Sequence, residues 1–165
     1  MEVFFLFEVG DSIVYPMQGT GIIKSIEEKE FLGKKRSYYI IKMLTGNMEI
    51  MIPVDKISDS NVRLISDVST LEKVLRKFHE RQSNSLESLN SKQRQQMNMK
   101  KIKSGSLQET AEVVIDLILL NKKKPLNSSE KQMLDKAQRF LIDEISLIKE
   151  ITTDEAEDLL QSKVD

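Results

Sequence analysis

A chain of 165 residues without cysteine has no disulfide framework and no thiolate chemistry, and its single histidine leaves any metal site to carboxylates. The longest apolar run, Val113 to Leu120, is interrupted by Asp116 and falls far short of the roughly 20 residues that span a bilayer. The net charge of −1 conceals a separation: nine basic residues stand against two acidic ones between Lys73 and Lys103, and eight acidic against two basic between Asp143 and Asp165. A nearly neutral chain can therefore still present a cationic surface to an anionic partner.

Composition also divides the chain. Residues 1–66 hold five of the six glycines, two of the three prolines and all three tyrosines, whereas beyond Val68 only Gly105 and Pro125 break long stretches of Leu, Glu, Lys, Gln and Ser. The expected fold class is α+β, with a small SH3-like or Tudor-like β-barrel over 1–66 followed by an all-α helical domain over 67–165. The opening Val3-Phe4-Phe5-Leu6-Phe7 has no basic residue before it and no small-residue cleavage site after it, so it reads as a first strand or a short extension and not as a signal peptide.

Strands are expected at 9–15, 20–30, 36–44 and 47–53, with a short one near 61–65. Their joints are Gly19, Gly33 and the Thr45-Gly46-Asn47 turn. The third strand carries apolar groups on both faces, Tyr38 and Ile40 on one and Tyr39, Ile41 and Met43 on the other, which places it inside the sheet. The fourth puts Met48, Ile50 and Ile52 inward and leaves Met51 exposed. A barrel this small keeps open strand edges, to which a partner strand can add.

Helices are expected at 70–81, 86–103, 107–122, 128–150 and 153–162, with capping boxes at Ser69/Glu72, Ser106/Glu109 and Asn127/Glu130. The polar stretch from Arg81 to Ser91 reads as a helix junction. Stripes through Leu107, Ala111, Val114, Ile115, Ile118 and Leu119, and through Met133, Leu134, Ala137, Phe140, Leu141, Ile145 and Ile148, form the core of this half. On the basic helix Lys92, Gln96 and Lys103 lie along one side and Arg94, Lys101 and Gln93 along its neighbour. With Asn90, Gln95 and Asn98 they suit sugar and phosphate contacts, and they equally suit a merely solvated face.

Nothing assembles a catalytic site. Gly19-x-Gly21 lacks a third glycine and a following helix, His79-Glu80 lacks a second histidine or a nucleophile, and Asp154, Glu155, Glu157 and Asp158 lack calcium-loop spacing. The expectation is a binding protein, not an enzyme, with no cofactor and no metal.

The run Gly10-Asp11-Ser12-Ile13-Val14-Tyr15-Pro16, followed by Gly19 and Gly21, resembles the start of the CarD family of bacterial transcription regulators. Lys101 to Ser106, Ala111 to Leu117, and Leu126 to Leu134 with Ala137 follow in the family's order. The resemblance implies a barrel that docks by strand pairing on the β subunit of RNA polymerase, a module shared with transcription-repair coupling factors. It also implies a helical domain that contacts promoter DNA at the upstream edge of the transcription bubble, largely without sequence specificity, and shifts the population of open complexes. By position from Tyr15-Pro16, the polymerase contacts fall on Lys29, Glu30 and Phe31, and a further basic contact falls on Met51, which abandons the charge.

Counting back from Ser104-Gly105, a Trp that wedges into the minor groove in many relatives falls on Ser91. This chain has no Trp, and Leu89 is the nearest apolar substitute. Arg94 falls on a basic position of the family's DNA-binding helix, with Lys92 and Lys101 as nearby phosphate partners. The implied setting is cytoplasmic and nucleoid-associated through polymerase, as a monomer with no membrane partner. The alternative, favoured by the missing Trp, is a protein-only adaptor whose barrel binds polymerase or another assembly without DNA contact.

Overall fold

In the computed structural model, which describes residues 4–80 and 88–164, the chain divides into two units, Met1–Ile65 and Ser66–Asp165. The first is an antiparallel sheet and the second is helical, so the α+β class expected from composition is the one observed. The strands are β1 (Ser12–Tyr15), β2 (Gly19–Phe31), β3 (Lys34–Met43), β4 (Glu49–Pro53) and β5 (Arg63–Leu64), hydrogen-bonded in the order β4-β3-β2-β1-β5. A four-strand meander whose fifth strand returns beside the first is the connectivity of a small SH3-like or Tudor-like barrel. A 3-10 helix over Val54–Ser60, not foreseen from the sequence, carries the chain back to β5.

The inward face packs Ile13, Ile23, Tyr39, Ile41, Met43 and Ile52 against Val54, Ile57 and Val62. Phe7 closes this core, its ring 5.9 Å from that of Tyr39 and its backbone N–H donating to the Tyr39 hydroxyl at 3.1 Å. Of the two expectations for the opening run, a first strand or a short extension, the described residues 4–8 form the extension, with Phe4, Phe5 and Leu6 exposed and Phe7 buried. Gly21 is required by close approach: a Cβ there would lie 2.9 Å from the Ile41 Cγ2 and 3.0 Å from the Lys42 carbonyl oxygen.

Two features set which side chains share a face. The β2–β3 register slips between Ile23 and Ser25, so Lys24 is a bulge and the inward residues of β2 change from odd to even numbers beyond it. At the far end Leu32 and Gly33, with φ of 52° and 78°, make a two-residue turn of the type that needs left-handed backbone at both positions.

The helices are α1 (Val68–Glu80), α2 (Ser91–Lys103), α3 (Leu107–Lys123), α4 (Ser128–Lys149) and α5 (Thr153–Val164). Helix α3 packs on α1, α2 and α4 and is buried nearly all round. Val113, Leu117 and Leu120 are therefore in the core, while Ile118 and Leu119 of the expected stripe are half-buried. Ser106 and Asn127 accept from the Glu109 and Glu130 amides as expected. Helix α1, however, is capped by Asp67, whose Oδ1 accepts from the Thr70 amide at 2.7 Å, and not by Ser69, which lies inside the helix. Helix α2 starts at Ser91, not 86, because Asn90 and Gln93 form a reciprocal capping box. Most of the expected Arg81–Ser91 junction, residues 81–87, lies outside the described residues.

Candidate functional site

Strand pairing in the N-terminal unit defines an outer face opposite the core. Ser25, Glu27, Lys29 and Phe31 of β2 stand opposite Ile40, Tyr38, Arg36 and Lys34 of β3, and Ile40 and Tyr38 in turn oppose Met51 and Pro53 of β4. Side chains directly opposite one another lie on one face, so Lys29, Phe31 and Met51 are brought together with Tyr38 and Ile40. Glu30 pairs with Lys35 on the opposite face, so it does not join the other three. From the strand spacing and rise, Lys29 and Met51 are roughly 15 Å apart, a span suited to one macromolecular partner.

Phe31 is 58% exposed and Met51 42%, and the Phe31 ring stands edge-on to Tyr38 at 6.3 Å. Ile40, on the same face, is buried. Lys29 is half-exposed, its ammonium 4.0 Å from a Glu27 carboxylate oxygen. Arg36 is engaged in a two-pronged pair with Asp55 at 3.1 Å. The face thus offers an apolar strip, Phe31 to Met51, flanked by cations. Leu32, at the tip and fully exposed, was missed by sequence reasoning; the signal was a Leu-Gly pair where a two-residue turn ordinarily takes Asn-Gly.

Beside Met51 the sheet has an open edge. The Met43 amide donates to the Met48 carbonyl at 2.8 Å, and in an antiparallel pair bonded and non-bonded positions alternate. Ile50 and Ile52 therefore point their backbone groups at β3, whereas the N–H and C=O of Glu49 and Met51 point away from the sheet. Among the described residues no strand covers that edge. Glu49 bonds Lys24 at 2.5 Å, which holds its carboxyl below the usual carboxylate range.

In the helical unit the expected DNA-contacting residues separate. Lys92 and Ser91 are exposed at the start of α2, and Leu89 is half-buried just before it. Arg94, expected to share a solvent side of the helix with Lys101, is instead buried, at 6% exposed. Its Nε and Nη2 donate to the two Glu130 carboxylate oxygens at 2.8 and 3.0 Å, and its Nη1 donates to the Leu89 carbonyl at 2.8 Å. The fork ties α2 and the residues before it to α4, and it holds the Glu130 carboxyl below the usual range and the guanidinium above its own. Lys101 is paired with Glu112 of α3 at 2.9 Å, both partly buried. His79 faces the Lys163 carbonyl at 3.3 Å. Among the described residues no group of three or more His, Asp or Glu is placed to hold a metal, and no helix is long and apolar enough to cross a membrane.

Comparison with known proteins bears on both units. The family model described as CarD, C-terminal domain matches residues 73–161. The chain belongs to the CarD family. A second model, CarD-like/TRCF RID domain, matches residues 7–68, RID denoting an RNA polymerase interaction domain. This CarD-family chain is 51% identical over 147 residues, covering 89% of its own length and 95% of the relative, to YdeB of Bacillus subtilis (strain 168), a candidate transcription factor by name. Similar solved structures include CdnLNt from Myxococcus xanthus, 38% identical with a TM-score of 0.30, covering 35% of this chain and 82% of that one. Another is the solution NMR structure of the 72-residue N-terminal domain of Myxococcus xanthus CarD, 28% identical with a TM-score of 0.31, covering 38% and 84%. The chain is a CarD-like transcription factor with an RNA polymerase interaction domain followed by a helical C-terminal domain.

Proposed function

We propose that the N-terminal unit docks on the β subunit of RNA polymerase by adding a polymerase strand to the open edge of β4. In this reading Met51, Phe31 and Lys29 contact the surface next to that strand. The observation that carries it is the outward-facing N–H and C=O of Glu49 and Met51 beside an exposed apolar strip. Backbone pairing supplies affinity, and the flanking side chains supply register and choice of partner. Glu30 takes no direct part, and Met51 replaces a charge contact with an apolar one.

The helical unit contacts promoter DNA near the upstream edge of the bubble through exposed Lys92, with Lys101 reaching a phosphate once released from or shared with Glu112. Leu89 and Ser91 occupy the place of the family's wedge. Arg94 acts as a positioning residue that fixes Leu89 and the start of α2. Contact with phosphates positions without reading sequence, and preference for the opened promoter shifts its population. The protein then acts in the cytoplasm wherever polymerase does.

The test is capture of a purified β-subunit fragment by the full chain, with Lys29→Glu and Phe31→Ala. The account predicts binding by the parent and loss in both variants; equal capture by all three proteins refutes the assigned face.

A further inference from the structure

Three cations that none of the expected contacts include stand on one turn of α1. Lys73, Arg76 and Lys77 are spaced i, i+3 and i+4, so they share a face. With Thr70, Glu80 and Gln108 of α3 they line a groove of about 390 Å³. Each is exposed, and among the described residues none of the three is in an ion pair. By contrast, Arg94 is committed to Glu130 and Lys101 to Glu112. The acids near the groove are Glu80 in its wall, Asp67, whose carboxyl is held down first by the Thr70 amide and hydroxyl and only weakly by Lys73, and Glu112 and Glu72, which are paired with Lys101 and Lys149. The groove keeps a net positive charge.

Its chemistry selects the ligand. Gln108 adds a neutral amide donor, and among the described residues Val74 is the one apolar side chain in this lining. Cations with amide groups are what sugar and phosphate oxygens take, so charge complementarity favours duplex DNA, and a peptide anchored in the adjoining apolar crevice of Val74, Phe78, Ala111 and Ile115 is an outcome of the test. One turn of α1 spans about 6 Å from Lys73 to Lys77, short enough to serve two or three consecutive phosphates of a strand, which advance about 3.4 Å each along a duplex.

The groove is also continuous with α2. The Gln108 amide lies 3.4 Å from the Glu112 carboxylate that holds Lys101, and Gln108, Glu112 and Lys77 line one shared crevice. We infer that the α1 groove of Thr70, Lys73, Arg76, Lys77 and Gln108 is a phosphate-binding site for duplex DNA. It extends the helical unit's contact from α2 across α3 to α1. This rests on the reading that the helical unit binds DNA.

The experiment measures affinity of the full chain for a short duplex by fluorescence anisotropy across a salt series. The proteins are the parent, a groove variant (Lys73→Gln, Arg76→Gln, Lys77→Gln) and an α2 variant (Lys92→Gln, Lys101→Gln). Each lost phosphate contact lowers the slope of log affinity against log salt by about 0.9, so the groove variant should lose about 2 to 3 from the slope while its melting temperature is unchanged. A groove variant with the parent's slope, when the α2 variant has lost slope, overturns the inference and leaves the DNA reading standing. No salt-dependent duplex binding by the parent overturns both. Loss of binding to a glutamate-rich peptide with duplex binding kept overturns it in favour of a protein partner.

Discussion

Replacing Arg94 by methionine should unfold the helical unit more than it weakens any DNA contact. The guanidinium makes two hydrogen bonds to Glu130, whose side chain is 3% exposed, and one to the Leu89 carbonyl. Without it the buried carboxylate retains only the Asn127 amide and the more distant Lys124 charge. Removing one partner of a buried pair costs about 3–5 kcal/mol, and the remaining amide favours the lower end. At about 4–8 °C per kcal/mol for a unit of this size, the helical melting transition should fall by about 12–24 °C, read by far-ultraviolet circular dichroism of the full chain. Adding Glu130→Leu should recover most of the loss, because an apolar pair of similar volume is often no worse than the ions.

Arg94→Lys separates the two accounts. It keeps a cation for a phosphate but loses the fork, so it should still lower the transition, with the salt slope of duplex binding unchanged. A variant with parental stability and weaker duplex binding would show that Arg94 is a surface phosphate contact and that the buried-lock reasoning is wrong.

Glu130 also sets a pH dependence. Its folded carboxyl is held below the unfolded value, so its stabilisation is present above about pH 4.3 and is lost as pH falls through the lower folded value. In Arg94→Met burial instead raises this carboxyl, so protonation relieves the variant. The gap in melting temperature between the two proteins should therefore narrow from neutral pH towards pH 4, and a gap that widens refutes the assignment. Gly21→Ala places a methyl against Ile41 and the Lys42 carbonyl and should destabilise the sheet by about 1–3 kcal/mol, read as a lower urea midpoint of the tyrosine signal. An unchanged midpoint would mean that β3 can give way there. Leu32→Asn relieves left-handed backbone at a side chain that touches nothing and should stabilise the sheet by about 1 kcal/mol, read as a higher urea midpoint of the same signal. A fall would mean that the Leu32 side chain is packed after all.

Alternation and turn residues made the sheet legible, since β3 repeats its inward Tyr39, Ile41 and Met43 without interruption. They could not reveal which face carries Lys29, because the bulge at Lys24 reverses the parity of β2 and a bulge leaves no mark in the hydrophobic pattern. The open edge at Met51 depends on hydrogen-bond phase, which the Met43–Met48 pair sets. Helix α2 misled for a different reason: its buried face is Arg94, Asn98 and Ile102. Periodicity of apolar residues cannot find a core stripe that is two-thirds polar, and a charged residue at such a site reads as solvent-facing. The caps at Ser106 and Asn127 were readable from their three-residue spacing to a glutamate. Asp67, with a full charge at the positive end of α1, displaced Ser69.

The most direct test of strand addition is binding of the full chain to an RNA polymerase β-subunit fragment with Met51→Pro, measured beside the parent. The Met51 N–H points away from β3, so proline there removes an edge donor without breaking a bond of the sheet. The account predicts an intact melting transition and lost binding. Parental affinity in a folded Met51→Pro protein would contradict docking through the β4 edge.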